Sequence, residues 1–274
     1  MYSVGGTISG LVNDTQVTLL NKSGDALTVN ANGTFGFSTR VTSGTGYAVS
    51  VGTQPKGQTC VVPNGSGVVA ASNVISIAVT CSRIGYAYVT NSSDNTVSQF
   101  SIGADGTLTP MAAASIGTGS GPLSIALDPT GNYAYVANIS SSTVSQFTIG
   151  ADGALTPMAT ASVSTGISPQ SVTVDPSGKY AYVTNRGASS VSQYTIGADG
   201  ALTPMPVASV GAGILPETIT VDATGKYAYV TNWASNTVSQ YVIDASGALT
   251  PMATASVNTG NQPTSITTRY AATH

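Results

Sequence analysis

Apolar and polar residues alternate along the chain in short runs bounded by turn residues, the pattern of β-strands with one face turned inward. Within residues 3–82 the runs are Gln16-Val17-Thr18-Leu19-Leu20, Thr34-Phe35-Gly36-Phe37-Ser38, Tyr47-Ala48-Val49-Ser50-Val51 and Val74-Ile75-Ser76-Ile77-Ala78-Val79. Turn signals separate them at Lys22-Ser23-Gly24-Asp25, Asn32-Gly33 and Asn64-Gly65-Ser66-Gly67. Strands this short, at this spacing, pack most simply as a small β-sandwich.

From Tyr86 onward the pattern becomes periodic. The phrase YAYV opens at Tyr86, Tyr133, Tyr180 and Tyr227, at a constant interval of 47 residues. Each unit supplies four strand-like runs, which in the second copy are Tyr133–Asn138, Thr143–Ile149, Leu155–Val163 and Ser171–Asp175, and no helical periodicity interrupts them. A period of this length with several strands per unit predicts propeller blades. Blades are covered on both faces by their neighbours, which accounts for Tyr133, Tyr135, Val136, Val144 and Phe147 leaving neither face cleanly polar.

The phrases YVTNSSDNTVSQF, YVANISSSTVSQF, YVTNRGASSVSQY and YVTNWASNTVSQY, carried at this period over residues 84–268, resemble the YVTN family of β-propellers, which includes surface-layer proteins and lactonase-like propellers. The earlier phrases GGTISGL, ANGTFGF and QPKGQTC followed by VTC resemble an immunoglobulin-like module found at the front of bacterial surface and secreted proteins. The expected fold is therefore all-β: an immunoglobulin-like β-sandwich over residues 1–82, then a β-propeller of four 47-residue repeats over residues 83–274. By the propeller resemblance the innermost strand of a blade precedes YAYV, and the first copy lacks one, while Pro263–Thr268 is one to spare. Four blades closed by that C-terminal strand are expected, the alternative being a larger ring shared by two chains.

Composition narrows the functional classes. Charged residues make up only 7% of the chain and the net charge is −3, so there is no basic stripe for nucleic acid or anionic lipid. No apolar run approaches a membrane span, and no signal peptide is expected in Tyr2-Ser3-Val4-Gly5-Gly6 after Met1. Cys60 and Cys81 show no metal-site spacing. They read either as a disulfide, implying an oxidising compartment, or as two buried thiols in a reducing one. The immunoglobulin-like resemblance implies the disulfide and, with it, an extracellular or bacterial cell-surface location.

Copies that share a sequence show where geometry is fixed. Gly103-Ala104-Asp105-Gly106 recurs at 150–153 and 197–200, with Asp244-Ala245-Ser246-Gly247 in the fourth copy, as expected of Asp-Gly turns between strands. Asp128, Asp175 and Asp222 each precede a second Gly-containing turn; one carboxylate per turn fits turn capping rather than the six or more oxygens of a calcium site. No cofactor and no metal are expected. Disagreement concentrates in two sets of loops, 92–95, 139–142, 186–189 and 233–236, and 119–121, 166–168, 213–215 and 260–262. In a four-stranded meander both sets emerge on one side of the ring. The candidate ligand-binding face is Asp94, Ile139, Arg186, Trp233, Ile214, Leu215 and Glu217, with Trp233 and Arg186 of the types enriched in binding hot spots. Loops also vary where nothing binds.

Catalytic signals are sparse. The single histidine is His274, Glu217 is the single glutamate, and there is no nucleophile elbow, phosphate loop or histidine cluster. The expectation is a non-catalytic secreted or surface protein whose loop face engages a glycan, a peptide or a cell-surface protein. A lactonase-like hydrolase using Asp94, Arg186 and Glu217, and self-association in a surface layer or filament, are the alternatives.

Overall fold

The structure, a computed structural model, describes residues 1–22, 24–103 and 105–269; Ser23, Ala104 and His274, named above, lie outside them. The described chain is all strand and turn, without a helix. It forms two compact units, Met1–Tyr86 with Ser101–Thr109, and Ala87–Phe100 with Pro110 onward.

The first unit contains β1 (Val4–Ser9), β2 (Val17–Asn21), β3 (Asp25–Val29), β4 (Gly33–Gly36), β5 (Gly46–Thr53), β6 (Gln58–Val61), β7 (Ser66–Val68) and β8 (Val74–Arg83). These make two four-stranded sheets, in the orders β4-β1-β8-β6 and β3-β2-β5-β7. Alternation decides which side chains turn inward: Val17, Leu19 and Val49 from one sheet meet Val4, Ile8, Ile77 and Val79 from the other in one core. The β1–β8 pair is parallel and approaches closely at Gly6, where a Cβ would sit 1.8 Å from the Ile77 carbonyl oxygen. Cys60 and Cys81 face each other on β6 and β8, buried, and are joined as a disulfide. Closing this 21-residue separation stabilises the unit by about 3 kcal/mol.

The repeats form β9 (Gly85–Asn91), β10 (Thr96–Ile102), β11 (Leu108–Gly117), β12 (Pro122–Leu127), β13 (Tyr133–Asn138), β14 (Thr143–Ile149), β15 (Leu155–Ser164) and β16 (Pro169–Val174). The rest are β17 (Tyr180–Asn185), β18 (Ser190–Ile196), β19 (Leu202–Gly211), β20 (Pro216–Val221), β21 (Tyr227–Asn232), β22 (Thr237–Ile243) and β23 (Leu249–Asn258). Three antiparallel meanders of four strands result, β12 to β15, β16 to β19 and β20 to β23, while β11-β10-β9 is a sheet of three. Residues 263–268 were expected to add the missing inner strand, but they run without strand pairing, held beside β20 by the bond from Thr218 Oγ1 to the Thr264 carbonyl (2.7 Å).

The recurring residues tie one blade to the next. At a bulge between Ser192 and Tyr194 the β18–β19 ladder is interrupted, and the buried Gln193 fills the gap. Its Nε2 donates to the Val207 carbonyl of its own blade at 3.0 Å, and its Oε1 accepts from the Leu249 N–H of the next at 2.6 Å. Gln146 does the same with Thr160 and Leu202, and Gln99 with Ala113 and Leu155. Asp175 behaves as a turn cap: its carboxylate accepts from the N–H groups of Ser177, Lys179 and Tyr180 and from the Ser177 hydroxyl. Asp128 and Asp222 repeat that arrangement.

Candidate functional site

The strand order places the Asp175-type turns at one end of each blade and the variable loops at the other. Backbone bonds lock the two loop sets together: Ile139 N–H donates to the Gly121 carbonyl, Arg186 N–H to Ser168 and Trp233 N–H to Leu215, at 2.8–2.9 Å. Arg186 and Trp233 occupy the same position in neighbouring repeats, the first residue after Asn185 and Asn232. Those asparagines are fully buried and donate Nδ2 hydrogens to Ser190 and Ser192, and to Thr237 and Ser239, which pins the loop ends.

Three of the expected face residues come together. Arg186 Nε donates to Glu217 Oε1 at 2.7 Å, and the Arg186 guanidinium carbon lies 5.8 Å from the centre of the Trp233 ring. The pair crosses a blade boundary, because Glu217 is the second residue of β20 whereas Arg186 follows β17. The Thr184 hydroxyl fixes the backbone at that point by donating to the Glu217 carbonyl at 2.8 Å. Glu217 is the more buried partner, with 13% of its side chain exposed against 35% for Arg186. Ion pairs of this kind, desolvated on one side and hydrogen-bonded, hold geometry more firmly than a surface pair.

The remaining expected residues are distributed around this centre. Ile214 is 60% exposed, and its N–H donates to Ser235 Oγ at 2.6 Å. Leu215 is half-buried with φ of 53°, in the left-handed region, and its counterparts in the two preceding repeats are Ser168, with φ of 55°, and Gly121. Ile139 is half-buried, and Asp94 is exposed; no hydrogen bond or ion pair among the described residues joins either to Arg186 or Glu217. Two neighbours were not chosen for the candidate face, although one of them, Ile167, lies in a loop already named as variable. Gln170 stands at the Glu217 position of the preceding repeat, and its buried Oε1 has no hydrogen-bond partner. Ile167, at the Ile214 position, is 65% exposed. The signal for both was the 47-residue offset from residues already singled out.

A family model described as lactonase, 7-bladed beta-propeller, matches this chain over residues 32–171 and 85–267. No curated protein matches. Among solved structures, a candidate 6-phosphogluconolactonase from Bacteroides uniformis is similar at 14% identity and TM-score 0.58, with 92% of this chain and 98% of that one covered. A protein from Lactobacillus plantarum is similar at 17% identity and TM-score 0.58, covering 93% and 85%. A candidate 6-phosphogluconolactonase from Bacteroides fragilis is similar at 16% identity and TM-score 0.56, covering 93% and 98%. At these identities the likeness is one of fold.

The family match overturns the expectation of a non-catalytic binding scaffold and favours the hydrolase alternative. The physical reason is that a propeller gathers its chemistry from single residues on successive blades, so a search for local catalytic motifs passes over it. Arg186 and Glu217, 31 residues apart in sequence, are one pair that the fold joins across a blade boundary.

Proposed function

Because the chain belongs to the lactonase, seven-bladed β-propeller family, we propose that it is a lactonase-like hydrolase that opens the ester ring of a lactone on its loop face. The observation carrying this reading is the ion pair of Arg186 and Glu217, a hydrogen-bond donor and a carboxylate held side by side, with the guanidinium over the Trp233 ring of the same face. In ring opening, water adds to the lactone carbonyl carbon, the ring C–O bond breaks, and the alkoxide leaves as a hydroxyl. Glu217 is the group to accept the proton of the attacking water and to return it to the ring oxygen as the C–O bond breaks. Arg186 spends its Nε–H on Glu217, and its terminal N–H groups are the donors for the carbonyl oxygen as it gains charge. Trp233 offers a flat surface for the ring.

The assignment is tested by incubating the protein with lactones and following acid release. Turnover that disappears in Arg186→Ala and in Glu217→Gln supports it, and the absence of turnover on sugar and simple lactones alike overturns it.

Three further readings belong with this proposal. Residues 1–82 are an immunoglobulin-like spacer, supported by two sheets around one core and a cross-strand disulfide. The same disulfide supports an extracellular or cell-surface location. Residues 83–274 make four blades, supported by three complete four-stranded sheets and a fourth of three strands; light scattering distinguishes a single-chain ring from a shared one.

A further inference from the structure

Resting on the hydrolase reading above, we infer that the lactone taken by this face is an uncharged one bearing an apolar substituent, an alkyl or acyl chain, and not an anionic sugar lactone. Charge makes the first half of the case. Among the described residues, the loop end of the blades carries Asp94, Glu217 and Arg186, and Arg186 is already committed to Glu217 at 2.7 Å. Lys179 and Lys226 are at the opposite end, where their N–H groups cap onto Asp175 and Asp222. A phosphate or carboxylate on the substrate would therefore meet more acid than base, without the spare arginine or lysine that recognition of such groups uses.

Apolar surface makes the second half. Ile167 and Ile214 occupy equivalent places on adjacent blades and are 65% and 60% exposed. A single exposed isoleucine is ordinary. These two are built into the loops that carry the polar centre: Gly187 N–H donates to the Ile167 carbonyl, and Ala234 N–H to that of Ile214, next to Arg186 and Trp233 respectively. A Cβ at position 187 would come within 2.9 Å of Ile167 Cγ2, so the isoleucine side chain lies directly against this loop. Leu215 adds a third apolar side chain, at a left-handed position filled by Ser168 and Gly121 in the two preceding repeats. An apolar chain leaving a lactone ring seated at Arg186 and Trp233 has these exposed side chains on the same loops to pack against.

Trp233 is the only tryptophan, so its fluorescence reports on this face without labelling. The full chain is titrated with γ-lactones of increasing alkyl length and, separately, with gluconolactone and 6-phosphogluconolactone, and ring opening is followed in parallel. Affinity for the alkyl series is expected to rise by up to about fourfold per added methylene, with the phosphorylated lactone bound no better than the neutral sugar. The double variant Ile167→Ser, Ile214→Ser should flatten the dependence on chain length. Affinity independent of chain length, or a preference for the phosphorylated lactone, overturns the inference while leaving the hydrolase reading intact. Fluorescence changes that grow with chain length in the absence of any ring opening defeat the hydrolase reading and leave the binding preference standing. No response to any lactone defeats both.

Discussion

The Tyr182 hydroxyl donates to the Gly247 carbonyl at 2.6 Å, across 65 residues and from one blade to the next. Tyr135 makes the same bond to Gly200 at 2.7 Å, and Tyr88 to Gly153 at 2.6 Å. The second tyrosine of YAYV and the glycine of the Asp-Gly turn thus recur together because each is half of a contact between neighbours. The turn glycine also needs its freedom: Gly247 has φ of 84°, and a Cβ there would fall 2.2 Å from Tyr180 Cδ1.

Burial of these phenols makes stability sensitive to alkali. It pushes Tyr194 up to about 12 and raises Tyr135, Tyr182 and Tyr241 as well. A phenol whose folded pKa is raised keeps its proton where the unfolded chain, near 10, gives its proton up, so its contribution is complete below about pH 10 and is lost as pH rises toward the folded value. Stability should fall above about pH 10 by about 1.4 kcal/mol per pH unit for each such tyrosine. Urea unfolding at about pH 9 and pH 11, with tyrosinate absorbance recorded alongside, measures the slope; flat stability over that range would contradict the burial argument.

Gln193 should matter more than an average buried polar residue. It satisfies a carbonyl in its own blade and an N–H in the next, so Gln193→Leu leaves both without partners in a closed interface. The expected loss is about 2–4 kcal/mol, read as a shift in the urea midpoint without a change in the strand signal of circular dichroism. Gln193→Glu, which buries a carboxylate against the Val207 carbonyl, should cost at least as much at neutral pH and recover in acid, where the protonated group regains a donor.

Phe147 offers the reverse experiment. At its position in the next two repeats, Tyr194 and Tyr241 donate to the carbonyls of Ser164 and Gly211 at 2.6 Å. Phe147 has no hydroxyl for the corresponding Gly117, and it lines a cleft of about 340 Å³ together with Gly117 and Pro157. Phe147→Tyr has both the room and the partner, and should stabilise the protein by about 0.5–1.5 kcal/mol. A loss of stability would show that the cleft admits no hydroxyl.

The strands and their period were legible because alternation and a 47-residue offset are one-dimensional signals. The Asp175 turn was legible too, since its bonds reach only to residues 177–180. Contacts between blades were not. The bond from Gln193 to Leu249 spans 56 residues and that from Arg186 to Glu217 spans 31. Each depends on which element of the next blade lies alongside, and a repeat compared only with itself in register does not reveal that. The unpaired run at 263–268 shows the same limit, since an apolar pattern names a strand but not its partner. Arg186 and Glu217 were both placed on one face by the loop pattern, but the bond between them was not legible from it.

The final prediction concerns how Arg186 and Glu217 divide their work. If the pair were only a surface tie, removing either member would change stability by about 1 kcal/mol or less and would leave catalysis to other groups. If Glu217 accepts the proton of water while Arg186 stabilises the oxyanion, Glu217→Gln should preserve the 2.7 Å contact through its amide oxygen and still remove the base. Lactone kcat should then drop by about 10²–10⁴ while KM changes little. Arg186→Lys keeps the charge but not the planar donors, so it should lower kcat by about 10²–10³. Because the two residues act on one transition state, the double variant should be scarcely worse than the more damaged single one. Steady-state kinetics on the four proteins, with urea midpoints as a control for folding, makes the comparison. Additive losses, or losses that track the midpoints, would mean that the pair holds two blades together and does not act on the substrate.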